Sequence, residues 1–175
     1  MKKILDIPYY SQYRDVKDEY WKPRACGILC LKMILDFLKI KINGTDDFIQ
    51  NANEKKAYGE NGWIHQGLID IAKDFDVEMK RKEYKNDEND DLEKGIEKII
   101  NSIEDDKPVL VSAIKKFSEK NKFHMVLLVG FEIENNELKG FYYNDPDYEN
   151  NEGKNLFVDI EIFKKYWRRL VIFVK

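Results

Sequence analysis

The sequence has few cysteines, no long apolar run and no excess of positive charge. Only two of its 175 residues are cysteine, Cys26 and Cys30, which excludes a scaffold held together by several disulfides. No stretch approaches the ~20 apolar residues of a membrane-spanning helix, and the N-terminus lacks the apolar core of a signal peptide. Lysine and arginine (30) are outnumbered by aspartate and glutamate (33), and the formal charge of −3 argues against nucleic acid as a partner. We therefore expect a cytoplasmic protein.

What is present is typical of a globular enzyme or binding domain. Apolar residues make up 43% of the chain and aromatic residues 13%, which is enough for a sizeable core. The length matches one domain at ~150 residues per domain, so we assign residues 1–175 to a single domain. An acidic run, Asn86 to Asp91, predicts a solvated loop before a helix.

Apolar residues recur at helical spacing in the first two thirds of the chain. Residues 25–40 are apolar nearly all round, apart from one narrow stripe formed by Lys32, Asp36 and Lys39. This pattern predicts a central helix that is buried on most sides. Three further helices are predicted at 45–51, with Thr45 as the cap, at 64–75 and at 91–104.

Strand patterns dominate the rest of the sequence. They predict strands at 108–114, 123–133, 138–144, 156–159 and 170–174, with a short helix at 160–166. The residues Glu134 to Glu137 form a suitable hairpin turn between the second and third of these strands. Helices followed by antiparallel strands indicate an α+β fold.

Cys26 lies at the predicted start of the central helix. A thiol there meets unpaired backbone N–H groups and the positive end of the helix dipole, and both stabilise the thiolate. The alternative is a buried cysteine with no chemical role. Cys30 shares a helix face with Met33 and Phe37 and is predicted to lie in the core. A zinc site made of both cysteines and the two histidines lacks the usual ligand spacings.

His124 opens the most apolar strand of the chain, where a buried imidazole needs a partner. If the hairpin turn is centred between Asn135 and Asn136, Asp145 lies opposite Val126 and on the same face as His124. Such diagonal neighbours are about 7–8 Å apart at the backbone, within reach of two converging side chains. Asn144, the competing partner, is predicted to point to the opposite face. Asp145 also has a simpler explanation as a turn residue before Pro146.

Cys26, His124 and Asp145 together supply a nucleophile, a base and a group that orients the base. Acyl transfer also needs donors for the developing oxyanion. Gln12 is a candidate for this donor, alongside the backbone N–H of Cys26. His65, the other histidine, is more readily explained as a capping or loop residue at a helix start.

Four segments resemble a known family. They are Ile7 to Gln12, Ala25-Cys26-Gly27, Gly62 to Leu68, and Phe123 to Phe131 followed by Asn144-Asp145-Pro146. In order and spacing they are similar to the double-glycine-leader (bacteriocin-processing) peptidase-like family, within the papain-like cysteine peptidases. The chain departs from that pattern at Ile28, where the family usually has proline, and in the wide spacing between Gln12 and Cys26.

The resemblance implies a papain-like fold, with a helical N-terminal part whose central helix packs on a C-terminal antiparallel sheet. It also implies Cys26 as nucleophile, His124 as base, Asp145 as its orienter and Gln12 as the oxyanion donor. The substrate would be a peptide or protein, cut after small residues such as Gly-Gly, with no metal or organic cofactor. Coupling to peptide export is not carried over. Two alternatives stay open: another thiol acyl-transfer enzyme, transglutaminase-like or an amidase, and a catalytically idle peptide-binding module.

Overall fold

A computed structural model describes residues 1–84, 89–119 and 122–175, with helices packed against a seven-stranded antiparallel sheet. The helices are α1 (Gln12–Asp15), α2 (Cys26–Phe37), α3 (Thr45–Glu54), α4 (His65–Lys73), α5 (Asn89–Glu104) and α6 (Ile160–Tyr166). The strands are β1 (Lys2–Ile4), β2 (Tyr58–Gly59), β3 (Gly62–Trp63), β4 (Met79–Glu83), β5 (Val109–Ile114), β6 (Phe123–Glu134), β7 (Glu137–Asn144), β8 (Leu156–Asp159) and β9 (Trp167–Val174). The predicted α+β class is confirmed. No helix within the described ranges is both long and apolar enough to cross a membrane.

The sheet is built around the long strand β6. Its strand order is β4-β9-β5-β6-β7-β8, and β1 also pairs with β6. Strand β5 covers the first half of β6, whereas β1 covers positions Gly130 to Glu132 further along. The start of β6, where His124 lies, is therefore held between β5 and the helices, because α2 packs directly on this strand.

Five of these helices and strands were not predicted, and each is short or weakly patterned: α1, β1, β2, β3 and β4. Strands β1 and β4 lie at the margins of the sheet, and β4 has the sequence Met-Lys-Arg-Lys-Glu, which is charged as exposed edge strands often are. Helix α1 has a single turn, capped by the Ser11 side chain. Strand β9 also begins three residues earlier than predicted, at Trp167.

The prediction of Thr45 as a cap is wrong. Gly44 occupies the cap position with a φ of 75°, Thr45 is already the first helical residue, and the helix continues to Glu54. Of the acidic run at 86–91, residues 86–88 lie outside the described residues, and the remainder belongs to the first turn of α5.

Helix α2 is the central helix of the fold, and nine of its twelve residues are buried. The predicted wet stripe is wrong at Lys32, whose exposure is only 4%. The Tyr10 ring covers this stripe, because the Lys32 ammonium lies 4.1 Å from the ring centroid and the Tyr10 hydroxyl donates to Asp36 at 2.6 Å.

The residue after Cys26 must be small: a Cβ on Gly27 would lie 2.7 Å from the Met125 sulfur and 2.9 Å from the Trp63 side chain.

The β6–β7 hairpin has the predicted register where it matters for the site. Leu127 pairs with Asn144 and Leu128 with Tyr143, so the continuation places Asp145 opposite Val126. Asn135 and Asn136 both adopt left-handed backbone angles, which suit a two-residue hairpin turn. Between turn and site, β6 carries one extra residue and β7 carries another, so that two bulges shift the register and then restore it.

Candidate active site

An open groove of about 980 Å³ lies between the N-terminal end of α2 and the sheet, where β4, β9, β5 and β6 contribute lining residues. Cys26 lies in this groove as the first residue of α2 and is partly accessible, whereas Cys30 is fully buried one turn further along. The cap residue Ala25 offers no side-chain acceptor to the first turn of the helix. The unpaired N–H groups of that turn therefore stay available to the sulfur and to a bound substrate.

His124 is joined to Asp145 on one side and lies close to Cys26 on the other. His124 Nε2 lies 2.6 Å from Oδ1 of Asp145. Cys26 and His124 both line the groove, and each shifts the pKa of the other, so the two side chains are near neighbours; Nδ1 is the ring nitrogen that Asp145 leaves for the sulfur. His124 is 7% exposed and Asp145 is fully buried, so water screens their interaction little.

The electrostatics of the pair favour a thiolate facing an imidazolium. Burial raises the pKa of Cys26, but the charge and hydrogen bond of His124 and a hydrogen bond from the Met125 backbone outweigh it, so the net pKa is lowered. Burial in turn lowers the pKa of His124, but Asp145 and the Cys26 thiolate outweigh it and raise the pKa to about 10. Between these two pKa values, sulfur is deprotonated while the imidazole carries its proton.

The loop after β7 holds Asp145 from several sides. The Asp145 backbone N–H donates to the Gly153 carbonyl at 2.8 Å, and the Asp145 carbonyl accepts a hydrogen bond from the Tyr9 hydroxyl at 2.7 Å. Its Oδ1 accepts a second hydrogen bond, from the backbone N–H of Asp147 at 2.9 Å. A side chain at position 153 would collide with the Asp145 carbonyl and the Tyr9 hydroxyl, so glycine is required there.

Asp147 anchors this loop with its own carboxylate, a role that the sequence did not reveal. Tyr13 donates to one oxygen at 2.8 Å, and the Lys115 ammonium lies 2.7 Å from the other. Burial raises the pKa of Asp147, but these two partners outweigh it and the net pKa is lowered. Asp147 thus ties α1 and the end of β5 to the loop that carries Asp145.

The sequence of the chain matches a protein-family model over most of its length. The model of the Peptidase_C39 like family matches residues 4–171, a span that contains the groove and the residues Cys26, His124 and Asp145. The chain belongs to this family. The family suggested by the four sequence segments is thereby confirmed.

Solved structures of C39 peptidases share the fold of this C39-like chain. A putative C39-like peptidase from Bacillus anthracis is 18% identical, with a TM-score of 0.70 over 100% of this chain and 98% of that one. A double glycine motif protease from an AMS/PCAT transporter, in complex with the leader peptide, is 18% identical, with a TM-score of 0.61 over 98% and 93%. The peptidase domain of Streptococcus ComA, a bifunctional ABC transporter involved in quorum sensing, is 18% identical, with a TM-score of 0.61 over 87% and 91%. The comparison with curated proteins found no match. The predicted papain-like fold is confirmed.

Gln12 approaches the site without joining the other three site residues. Its side-chain Nε2 donates to the carbonyl of Lys22 at 2.7 Å, just before the start of α2, and its backbone N–H donates to Pro146, next to Asp145. The side chain is buried, and its Oε1 has no partner among the described residues. An amide nitrogen carries two hydrogens, so Nε2 of Gln12 keeps a second N–H besides the one that it donates to Lys22.

Asn144 and His65, the other two candidates of this C39-like chain, lie outside the contact between His124 and Asp145. Asn144 does not contact His124: its Nδ2 lies 3.8 Å from the Met33 sulfur, and its Oδ1 accepts the Asn155 backbone N–H at 2.9 Å. His65 is the first residue of α4 and Ile64 occupies the cap position, so the interpretation of His65 as a capping or loop residue is wrong. Its Nε2 instead reaches 2.8 Å to the Ser112 hydroxyl on β5 and lines the groove. No metal-binding group of three or more histidine, cysteine or acidic residues occurs in the described ranges.

Proposed function

We propose that this C39-like chain is a cysteine peptidase that hydrolyses a peptide bond with Cys26, His124 and Asp145. The observation that carries the proposal is the hydrogen bond between His124 and the buried carboxylate of Asp145, beside a Cys26 thiol whose pKa His124 lowers. The nucleophile also lies at the floor of an open groove, which a substrate can enter. A thiol held only for packing would need neither the lowered pKa nor the accessible position.

The reaction follows from this arrangement. The Cys26 thiolate attacks the carbonyl carbon, forming a C–S bond and an oxyanion. The backbone N–H of Cys26 and the second N–H of Gln12 are the donors that would stabilise this oxyanion. The imidazolium of His124 gives its Nδ1 proton to the departing amine as the C–N bond breaks. A water molecule then attacks the thioester and passes a proton to His124, which releases the carboxylic acid and restores the thiolate.

The substrate that we propose is an extended peptide cut after small residues such as Gly-Gly. The support is family membership, together with the similar fold of the protease whose structure contains a leader peptide. An amine acceptor in place of water would make the enzyme a transglutaminase-like transferase, and a side-chain amide in place of the peptide bond would make it an amidase. A chain that binds peptides without cutting them would be an idle module.

A peptide library digested by the purified protein tests this proposal. We expect new termini after small residues in the wild-type digest and none with Cys26→Ala, because the substituted chain lacks the nucleophile. Cys30→Ala is the matched control and should cut as the wild type does, since Cys30 is buried and its pKa is raised well above the usual value, chiefly by burial. Mass spectrometry distinguishes the alternatives by the product, and binding of peptides without any new terminus would contradict the proposal.

A further inference from the structure

A bulge in β9 turns an arginine toward the groove. Trp167 lies opposite Ala113 and Leu170 lies opposite Ser112, so Arg168 and Arg169 loop out of the ladder. Two backbone features stabilise the bulge. Arg169 adopts a left-handed φ of 57°, and its carbonyl accepts a hydrogen bond from the Tyr84 backbone N–H at 2.8 Å. Bulges of this kind redirect a side chain that would otherwise continue the strand.

The redirected Arg168 lies over the ring of Phe123, with its guanidinium carbon 3.4 Å from the ring centroid. Phe123 is 61% exposed and immediately precedes His124. Burial lowers the pKa of Arg168, and Glu83 partly offsets this, but a guanidinium keeps its proton at any neutral pH. Within the described residues Arg168 forms neither a salt bridge nor a side-chain hydrogen bond, so its five N–H donors are available to a ligand.

The groove is positive although the chain as a whole is negative. Among the residues that the structure describes, its lining includes Arg24, Arg81, Lys122 and Arg168 against one carboxylate, that of Glu60. Arg81 is already paired with Glu83, and the Arg24 guanidinium lies over Tyr20 and donates to the Tyr20 carbonyl. Lys122 is exposed and directly precedes Phe123 in the sequence, whereas His124 follows it. Of these four groove cations, Arg168 and Lys122 are therefore the ones most available to a ligand in the groove that holds the thiol.

We propose that Arg168 and Lys122 form an anion subsite that selects peptides with a carboxylate close to the bond under attack. This inference rests on the proposed peptidase function and names the substrate class for it. A guanidinium fixed over a ring presents planar donors that suit the two oxygens of a carboxylate. The carboxylate comes either from an aspartate or glutamate side chain or from the C-terminus of a short peptide, and both sources offer the same chemistry.

Matched peptides separate the two sources. In the first pair both peptides have an amidated C-terminus, and one carries Glu where the other carries Gln; this pair is made for each position around the cut. In the second pair both peptides carry Gln, and one has a free C-terminus where the other is amidated. We expect Arg168→Gln to lower kcat/KM for the carboxylate peptide about tenfold, as expected for the loss of a charge-assisted hydrogen bond, and to change the neutral peptide less than about twofold. Arg168→Lys should retain part of the preference, and Lys80→Gln is the control, because it removes the same charge from β4 outside the groove. Equal losses for both peptides would overturn the proposal.

A second measurement decides the subsite without any peptide turnover. Iodoacetate and iodoacetamide alkylate the same thiolate and differ in that only iodoacetate carries a carboxylate. We expect Arg168→Gln and Lys122→Gln each to lower the iodoacetate rate at Cys26 several-fold and to leave the iodoacetamide rate nearly unchanged. An unchanged ratio of the two rates in both variants would overturn the anion subsite even if peptides are cut. A wild-type protein that cuts no peptide but shows the expected ratio would overturn the peptidase proposal alone.

Discussion

Replacing His124 by alanine is expected to lower kcat/KM for peptide hydrolysis by roughly a thousandfold or more, because one substitution removes two contributions. The imidazolium that lowers the pKa of Cys26 is lost, so less thiolate is present at neutral pH. The group that protonates the departing amine is lost as well. Initial rates on the best library peptide measure the effect directly.

The variant needs a check on folding, because it leaves the buried Asp145 carboxylate without its partner. Breaking such a pair typically costs about 3–5 kcal/mol of unfolding free energy. His124→Gln keeps a donor that can face Asp145 and is the second variant to compare. If either variant is folded and retains more than about a tenth of the wild-type kcat/KM, His124 is not the base, because general acid–base catalysis alone contributes roughly a hundredfold or more.

Replacing Asp145 by alanine is expected to lower kcat by about three orders of magnitude, because a free imidazole adopts the wrong tautomer and orientation. Asp145→Asn should lose less than Asp145→Ala, because asparagine serves as the orienter in papain-like proteases. The Asp147 backbone N–H donates to Oδ1 of Asp145, the same atom that faces His124. In the Asn variant this N–H would hold the amide oxygen at the Oδ1 position, toward His124.

Asn144→Ala is the matched control for this prediction. Asn144 is as deeply buried as Asp145, but it bonds the Asn155 backbone and Met33 rather than His124. Its loss should lower the free energy of unfolding and leave kcat within a small factor. A large fall in kcat for Asn144→Ala, with little effect of Asp145→Ala, would show that the orienter has been assigned to the wrong residue.

The hairpin shows how far the sequence predicts the site. Two consecutive asparagines between strands indicate a tight turn, and the turn alone sets which residues lie opposite each other. That reasoning places Asp145 on the face of His124, as the structure does. The two bulges leave no mark in the sequence, and the prediction holds because their shifts cancel before the register reaches Leu128.

The supporting contacts of the site were not predictable, because they join segments that are far apart in the chain. Asp147 looks like a turn residue until Tyr13 and Lys115 are seen beside it. Gln12 looks free to reach an oxyanion until Lys22 takes one of its N–H groups. Arg168 reads as part of a strand, since only the pairing of β9 with β5 reveals the bulge.

The pH dependence of Cys26 alkylation by iodoacetamide tests the thiolate–imidazolium pair most directly. The measurement is best made in the Cys30→Ala background, which leaves one thiol. Because the pKa of Cys26 is lowered, the rate should rise to its plateau with a midpoint below that of a free cysteine, ~8.5. In the His124→Ala variant the midpoint should move upward, because burial then raises the pKa without an opposing charge. A wild-type midpoint at or above that of free cysteine, or one that His124→Ala leaves unchanged, would contradict an activated pair.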